Sequence, residues 1–180
     1  MAEEKLTVGN VEILPINDGE VEFPFPLTDI FPTTSAEAWA PYERRYPEVF
    51  AGPITWRAHW GGYLIRSEGR TLLVNSGVGS KTTNPGMINN LNNGVDGKLI
   101  TELHNLGVQP DDLDIVFFTH LHPDHVGYNL SEAGANPKAM FSNARYVIHQ
   151  ADWEAFGKPE VQEMFPFSYW NETLGPIRFS

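Results

Sequence analysis

Alternating apolar and polar positions predict that the chain opens with β-structure. The stretch Val11 to Ile16 alternates and is followed by Asn17-Asp18-Gly19, after which Val21 and Phe23 continue the pattern. Alternation interrupted by a turn signal of this kind is typical of a β-hairpin. We therefore expect a hairpin at the start of a sheet, with Asp18 as a turn residue.

A second hairpin is predicted downstream. Residues 54–66 and 70–75 alternate around Ser67-Glu68-Gly69, and the apolar run 72–74 is typical of a buried strand. The sheet is therefore expected to continue through this region.

A strand–helix–strand unit follows from the next apolar patterns. Apolar residues recur at helical spacing over 99–106 until Gly107 ends them, and the run 115–118 is typical of a strand in a parallel sheet covered on both faces. A further strand is predicted at 145–148 and a short helix at 152–156. Ligand sites in such sheets form where strands reach their carboxyl ends, and His120 directly follows this edge.

Between these regions, residues 24–53 carry six prolines interleaved with aromatic side chains and show no regular period. Irregular segments of this length in compact domains are commonly lids, binding loops or linkers. We interpret 24–53 as a substrate lid loop, and give equal weight to a surface loop held on the core by its aromatic residues.

Composition and charge narrow the class of protein. The 180 residues fit one domain, and 12 Lys and Arg against 23 Asp and Glu give a net charge of -11. Such a charge disfavours nucleic acids and anionic membranes as partners. The N-terminus lacks the apolar run of a secretory signal and no stretch is apolar for long enough to span a bilayer, so we expect a cytoplasmic protein. Since the chain has no Cys, a metal site must use His and carboxylate ligands.

Four such side chains lie within six residues: His120, His122, Asp124 and His125. Residues two apart in an extended loop project the same way, so His120 and His122 can close on one ion while Asp124 and His125 are offset toward a second. These ligands suit zinc, and also iron, manganese or cobalt. Two ions roughly 3.5–4 Å apart can share a hydroxide and polarise the bond under attack, which predicts hydrolysis. A single His is more often structural, but this clustering is hard to explain as packing.

The segment Thr119 to Gly127, T-H-L-H-P-D-H-V-G, resembles the signature of the metallo-β-lactamase superfamily, and the resemblance extends over about Val11 to Phe156. It implies an α/β fold, the αββα sandwich, with residues 1–180 as one domain of this type. It also implies that His120 and His122 bind one metal and that Asp124 and His125 bind the other, a pair of zinc or other divalent ions. Asn75-Ser76-Gly77 stands where family members usually have Asp-Thr-Gly, which keeps the shape but loses a negative charge.

The resemblance also implies missing parts, because the family draws further ligands for both metals from the second half of its fold. After His125 the only His is His149, which we interpret as a structural residue, with metal binding as the alternative. The chain therefore resembles the N-terminal half, and we expect an uncovered sheet face and edge. Either the chain is truncated, or a second copy or another chain completes it.

The function expected from the resemblance is metal-dependent hydrolysis of a small, uncharged or weakly charged lactone, ester or phosphotriester by a metal-bridged hydroxide. Asp124 would serve as ligand and proton acceptor. The chain is similar to the branch that contains quorum-quenching lactonases and methyl-parathion-hydrolase-like enzymes. A glyoxalase-type thioesterase and a truncated, non-catalytic metal-binding module are the alternatives, whereas the acidic charge argues against the RNA-processing nucleases of the superfamily.

Overall fold

The computed structural model describes residues 5–132, 137–165, 167, 169–175 and 177 and shows a mixed α/β fold. The strands are β1 (Leu6–Val8), β2 (Val11–Pro26), β3 (Phe50–Gly52), β4 (Thr55–Ser67), β5 (Arg70–Val74), β6 (Ile115–Phe117) and β7 (Arg145–Val147). The α-helices are α1 (Leu27–Ile30), α2 (Ala36–Arg45), α3 (Pro85–Leu91), α4 (Leu99–Asn105), α5 (Gln150–Phe156), α6 (Pro159–Gln162) and α7 (Trp170–Thr173). Two 3₁₀ turns are formed by Pro47–Val49 and Pro110–Asp112. None of the described helices has the length and apolar character needed to cross a membrane.

The seven strands form one sheet in the order β1-β2-β4-β5-β6-β7, with β3 paired to β4. The pairs from β1 to β5 are antiparallel, whereas β5 with β6 and β6 with β7 are parallel. The predicted strand–helix–strand unit is therefore confirmed, with α4 lying between β5 and β6 in the chain. The carboxyl ends of β5 and β6 meet at the same edge of the sheet.

The first predicted hairpin is wrong, because β2 runs through Asn17-Asp18-Gly19 as one strand paired along its length with β4. Asn17 pairs with Gly61 and Gly19 pairs with Trp60, so Asp18 is the extra residue of a β-bulge. Asp18 is 1% exposed and is not a solvated turn residue. The apolar alternation on both sides of the bulge faces the same long partner strand, and this tertiary pairing overrides the local turn signal.

The second hairpin is confirmed as β4 and β5. Its turn places Glu68 at φ 50° and Gly69 at φ 75°, the left-handed conformations that two-residue hairpin turns require. The predicted helix is confirmed as α4, and Gly107 adopts φ 72° just beyond it. The later strands and α5 are also confirmed, with ends shifted by one or two residues.

Residues 24–53 are more regular than predicted. They contain the end of β2, both α1 and α2, a 3₁₀ turn and β3. Prolines are compatible with these elements because Pro26 caps α1 and Pro47 begins the 3₁₀ turn, although Pro41 lies inside α2. Trp39 packs against aromatic rings of the same segment, Phe31 at 5.5 Å and Tyr42 at 6.2 Å between centroids. Its role as a lid stays a prediction.

The core lies on one face of the sheet. Side chains on this face are buried against α4 and the segments after β6, and they include Leu14, Ile16, Leu64, Leu73, Val116, Phe118 and Tyr146. On the opposite face, Tyr63 is 51% and Phe117 is 40% exposed. The prediction that β6 is covered on both faces is therefore wrong for the described residues, because the second face is partly exposed.

Candidate metal centre

The nine residues Thr119–Gly127, hereafter the metal loop, leave the carboxyl end of β6 and are fastened to the segment that leaves β5. Ser76 N donates to His125 O at 2.7 Å, and Gly127 N donates to Gly77 O at 2.7 Å. These backbone bonds join two segments that are far apart in sequence. The loop is therefore positioned by the parallel β5–β6 pair rather than by its own local structure.

Gly127 ends the metal loop at a point of close backbone approach. A Cβ atom at this residue would lie 2.1 Å from the carbonyl carbon of Val78 and 2.3 Å from Gly79 N. Gly77 and Gly79 adopt φ 67° and 84°, which side-chain-bearing residues rarely occupy. Glycines on both sides therefore allow the two segments to touch.

The structure brings the four predicted ligand residues together. The ring of His120 lies 4.5 Å from that of His122 and 4.1 Å from that of His125, measured between centroids. His125 Nε2 lies 3.0 Å from Asp124 Oδ2. Three imidazoles and one carboxylate thus share a small volume at the carboxyl edge of the sheet.

The orientation of His120 follows from a short chain of hydrogen bonds. Thr119 Oγ1 donates to Asn75 Oδ1 at 3.2 Å and lies 3.0 Å from His120 Nδ1. Because the hydroxyl proton is used on Asn75, the hydroxyl oxygen accepts from Nδ1–H of His120, and Nε2 keeps its lone pair. Asn75 thus orients the imidazole through Thr119 without the negative charge of the usual Asp.

The electrostatics of the cluster suit metal ligands. Burial, and then the neighbouring imidazoles of His125 and His122, lower the pKa of His120. Burial also lowers the pKa of His122. Burial alone would raise the pKa of Asp124, but the hydrogen bond and charge of His125 outweigh it and lower that pKa. Lowered pKa values at His120, His122 and Asp124 favour the deprotonated forms that bind divalent metals.

Another atom of the metal loop is buried without a partner. Nδ1 of His125 is buried and has no hydrogen-bond partner in the described part of the chain. A buried polar atom without a partner costs free energy unless a ligand satisfies it. Among the described residues, however, no three His, Asp or Glu side chains are arranged to hold one ion. The described residues therefore fit part of a metal centre.

His149 makes a local contact with the helix that follows it. It is exposed and caps α5, where its Nδ1 accepts a hydrogen bond from Ala151 N at 3.1 Å. An N-cap side chain of this kind stabilises the start of a helix. This geometry supports the interpretation of His149 as a structural residue.

Aromatic side chains that the sequence patterns did not identify flank the metal loop. Phe156 and Phe165 lie 5.4 and 5.8 Å from the ring of His122, and Tyr169 Oη donates to Leu121 O at 2.9 Å. A cavity of about 410 Å³ adjoins them and is lined by Pro159, Gln162, Glu163, Phe165, Phe167, Tyr169 and Trp170. The helices in this part of the chain are short, so no periodic signal pointed to these residues.

Two buried polar residues behind the metal loop were also missed. Asp18 Oδ2 accepts from Val78 N at 2.7 Å, and its Oδ1 accepts from Leu99 N at 2.6 Å. Burial raises the pKa of Asp18, although these N–H groups act in the opposite direction. Asn84 Nδ2 donates to Val78 O and to Pro123 O. No local motif marks either residue as part of a site, because their partners lie up to 81 positions away.

Comparison with known proteins agrees with this geometry. A sequence model of the metallo-beta-lactamase superfamily matches residues 62–168. The N-acyl homoserine lactonase AiiA of Bacillus thuringiensis subsp. kurstaki is 30% identical over 104 residues, which cover 52% of this chain and 37% of the lactonase. The chain thus matches little more than a third of the length of this curated relative.

Solved structures share the fold. A probable metal-dependent hydrolase from Staphylococcus aureus superposes with a TM-score of 0.72 at 21% identity, covering 93% of this chain and 56% of that chain. AidC, a dizinc quorum-quenching lactonase solved with a product, superposes with a TM-score of 0.65 at 18% identity. The match covers 91% of this chain and 54% of that chain. With the family match extending over more than half of its residues, the chain belongs to the metallo-β-lactamase superfamily.

Proposed function

We propose that this chain carries the metal-binding loop of a metal-dependent hydrolase that acts on small, uncharged or weakly charged lactones and esters. The observation that carries the proposal is the convergence of the His120, His122 and His125 rings with the Asp124 carboxylate on the loop that leaves β6. These are the ligand types that zinc and similar ions prefer when no thiolate is present.

Each residue has a role in this proposal. His120 and His122 hold one ion, and Asp124 with His125 holds the second. When bound, the ions supply Lewis-acid activation of water and of the bond under attack. Thr119 keeps His120 in the tautomer with a free Nε2. The hydrogen bond and charge of His125 lower the pKa of Asp124 against the effect of burial. The proposal also gives the Asp124 carboxylate the role of proton acceptor during hydrolysis.

The substrate class is argued from charge and from the cavity beside His122. A chain with a net charge of -11 repels polyanions. Phe165 both contacts His122 and lines the neighbouring cavity, which places an aromatic surface next to the ligands. The names of the relatives, N-acyl homoserine lactonases among them, favour a lactone over a phosphotriester or thioester within this class.

A second candidate, a non-catalytic metal-binding module, is favoured by one observation. No third ligand for either ion is found among the described residues. A two-ligand site holds metal weakly. An active enzyme would then need ligands from outside the described residues.

The test is metal content, measured by mass spectrometry, together with hydrolysis of a lactone and an aryl ester. It compares the chain with its His120→Ala/His122→Ala variant. A His59→Ala/His104→Ala variant is the matched control, because both of these His are exposed and lie outside the metal loop.

Two ions per chain or per assembled pair, with turnover that is lost only in the loop variant, would support the hydrolase. Metal that depends on the loop but brings no turnover would support the module. If metal content is the same in all three proteins, or none binds, both candidates are wrong.

A further inference from the structure

We infer that Asp18 and Asn84 form a buried brace that positions the metal loop by holding both peptide groups of Val78. The inference rests on the proposed metal centre and extends it to two residues outside the loop. Among the described residues, the side-chain hydrogen bonds of Asp18 and Asn84 go to backbone atoms and not to the four ligand side chains, so both are positioning residues.

Asp18, on β2, is the member of the brace that bonds the N–H group of Val78. The bulge turns its side chain into the interior, where Oδ2 accepts from Val78 N and Oδ1 accepts from Leu99 N. Cβ atoms at Gly77 and Gly97 would lie 2.2 and 2.5 Å from these oxygens, so only glycines leave room for the carboxylate. The carboxylate therefore occupies a fitted position between two glycines.

Asn84, at the start of α3, is the member of the brace that bonds the carbonyl group of Val78. Its Nδ2 donates to Val78 O at 3.1 Å and to Pro123 O at 3.0 Å, and the residue is fully buried. Asn84 occupies the N-cap position of α3 but makes no side-chain capping bond. An Asn at this position ordinarily stabilises its own helix. Here the amide instead bonds Pro123, which is 39 residues away and next to Asp124.

The brace reaches the ligands through two contacts. Gly127 packs against the Val78–Gly79 peptide that the brace holds, and Gly127 is two residues from His125. Pro123, the other partner of Asn84, directly precedes Asp124. Displacing Val78 or Pro123 would therefore move Asp124 and His125 relative to His120 and His122. Residues that orient metal ligands in this indirect way typically change metal affinity by 10–100-fold when replaced.

The test is an isosteric replacement at Asn84. Asn84→Asp keeps the shape but replaces the donating amide with an oxygen that faces two carbonyls. Asn92→Asp is the matched control, because Asn92 is also buried and bonds Trp60 Nε1 and Val95 O without contacting the metal loop. Zinc affinity is measured by competition with a chromophoric chelator, cobalt coordination by visible absorption, and thermal stability by circular dichroism.

We expect Asn84→Asp to weaken zinc binding about tenfold and to alter the cobalt spectrum. Asn92→Asp should lower the melting temperature comparably while leaving both metal readouts unchanged. Asp18→Asn should behave like Asn84→Asp. If the two Asn variants change zinc affinity in proportion to their loss of stability, the brace has only a structural role and the inference is wrong.

Hydrogen exchange of the metal-free chain separates this inference from the proposed function. The Gly127 amide bonds Gly77 O and should exchange faster in Asn84→Asp than in Asn92→Asp. If the unaltered chain binds no metal but this difference is found, the proposed function fails and the positioning of the loop by the brace stands. Equal exchange in the two variants would overturn the brace.

Discussion

The two faces of the central sheet differ sharply although the same strands build both. On one face Leu64, Leu73 and Val116 are completely buried under α4 and the segments that follow the metal loop. On the other face their sequence neighbours Tyr63 and Phe117 are 51% and 40% exposed. The exposed face is also apolar, since Ile13, Pro15, Tyr63, Ile65, Leu72, Val74, Ile115, Phe117 and Val147 alternate with the buried residues.

The comparison shows which face stabilises the described fold. Burial of apolar surface is the main favourable contribution to the free energy of folding, so the covered face provides most of the stabilisation. The metal loop continues from this covered side, with Leu121 and Val126 fully buried in the same core. The ligands are thus anchored to the well-packed layer, while the exposed face remains an apolar surface of the kind that promotes association.

Truncation in the covered face should have the largest effect. Leu73→Ala should lower the free energy of unfolding by about 3 kcal/mol, because it leaves a cavity in the core. Val74 lies on the same strand, but its side chain is on the exposed face. Val74→Ala also removes fewer buried atoms, so we expect it to lower the free energy of unfolding by much less. Urea denaturation followed by circular dichroism measures both. Equal losses would mean that the two faces contribute alike.

The contact between the metal loop and Val78 should have the next largest effect. Gly127→Ala should cost about 2 kcal/mol, because its Cβ would overlap backbone atoms that cannot turn away. It should also reduce zinc binding, since the loop must shift. Gly52→Ala is the control, as its Cβ would meet nothing closer than 4.0 Å. Unfolding curves and zinc titrations that match for the two variants would contradict the close approach.

Loss of the Thr119 hydroxyl should have a smaller effect that is confined to metal binding. Thr119→Val should weaken zinc affinity about tenfold, or about 1.4 kcal/mol, because His120 loses the partner that holds its tautomer. Thr119→Ser retains the hydroxyl and should restore most of the affinity. Chelator competition measures both, and an unaffected Val variant would show that this hydroxyl does not orient His120.

The exposed face should give the smallest effect on stability. Phe117→Ser should change the free energy of unfolding by about 0.5 kcal/mol, as for other surface replacements, and should reduce self-association in sedimentation experiments. Phe118→Ser makes the same replacement in the next residue, which is 1% exposed, and should cost about 3 kcal/mol or more. A large loss in Phe117→Ser would show that the exposed face is packed in solution.

Much of the fold was predictable because its signals are local. The hairpin around Glu68 and Gly69, the helix ended by Gly107 and the apolar run before His120 each depend on residues close in sequence. The first hairpin was mispredicted because Asn17-Asp18-Gly19 satisfies the rules for a turn and for a bulge equally well. Only the pairing of β2 with all of β4 distinguishes them.

The candidate site likewise has features that the sequence predicts and features that depend on tertiary contacts. The sequence by itself determined the four candidate ligand residues, their spacing and their place after a buried strand, since these lie within six residues. The tertiary structure decided that Asn75 orients His120 through Thr119, that Asp18 and Asn84 hold Val78, and that one sheet face is partly exposed among the described residues. These features join residues up to 81 positions apart, and hydrogen bonds between distant segments leave no periodic trace in the sequence.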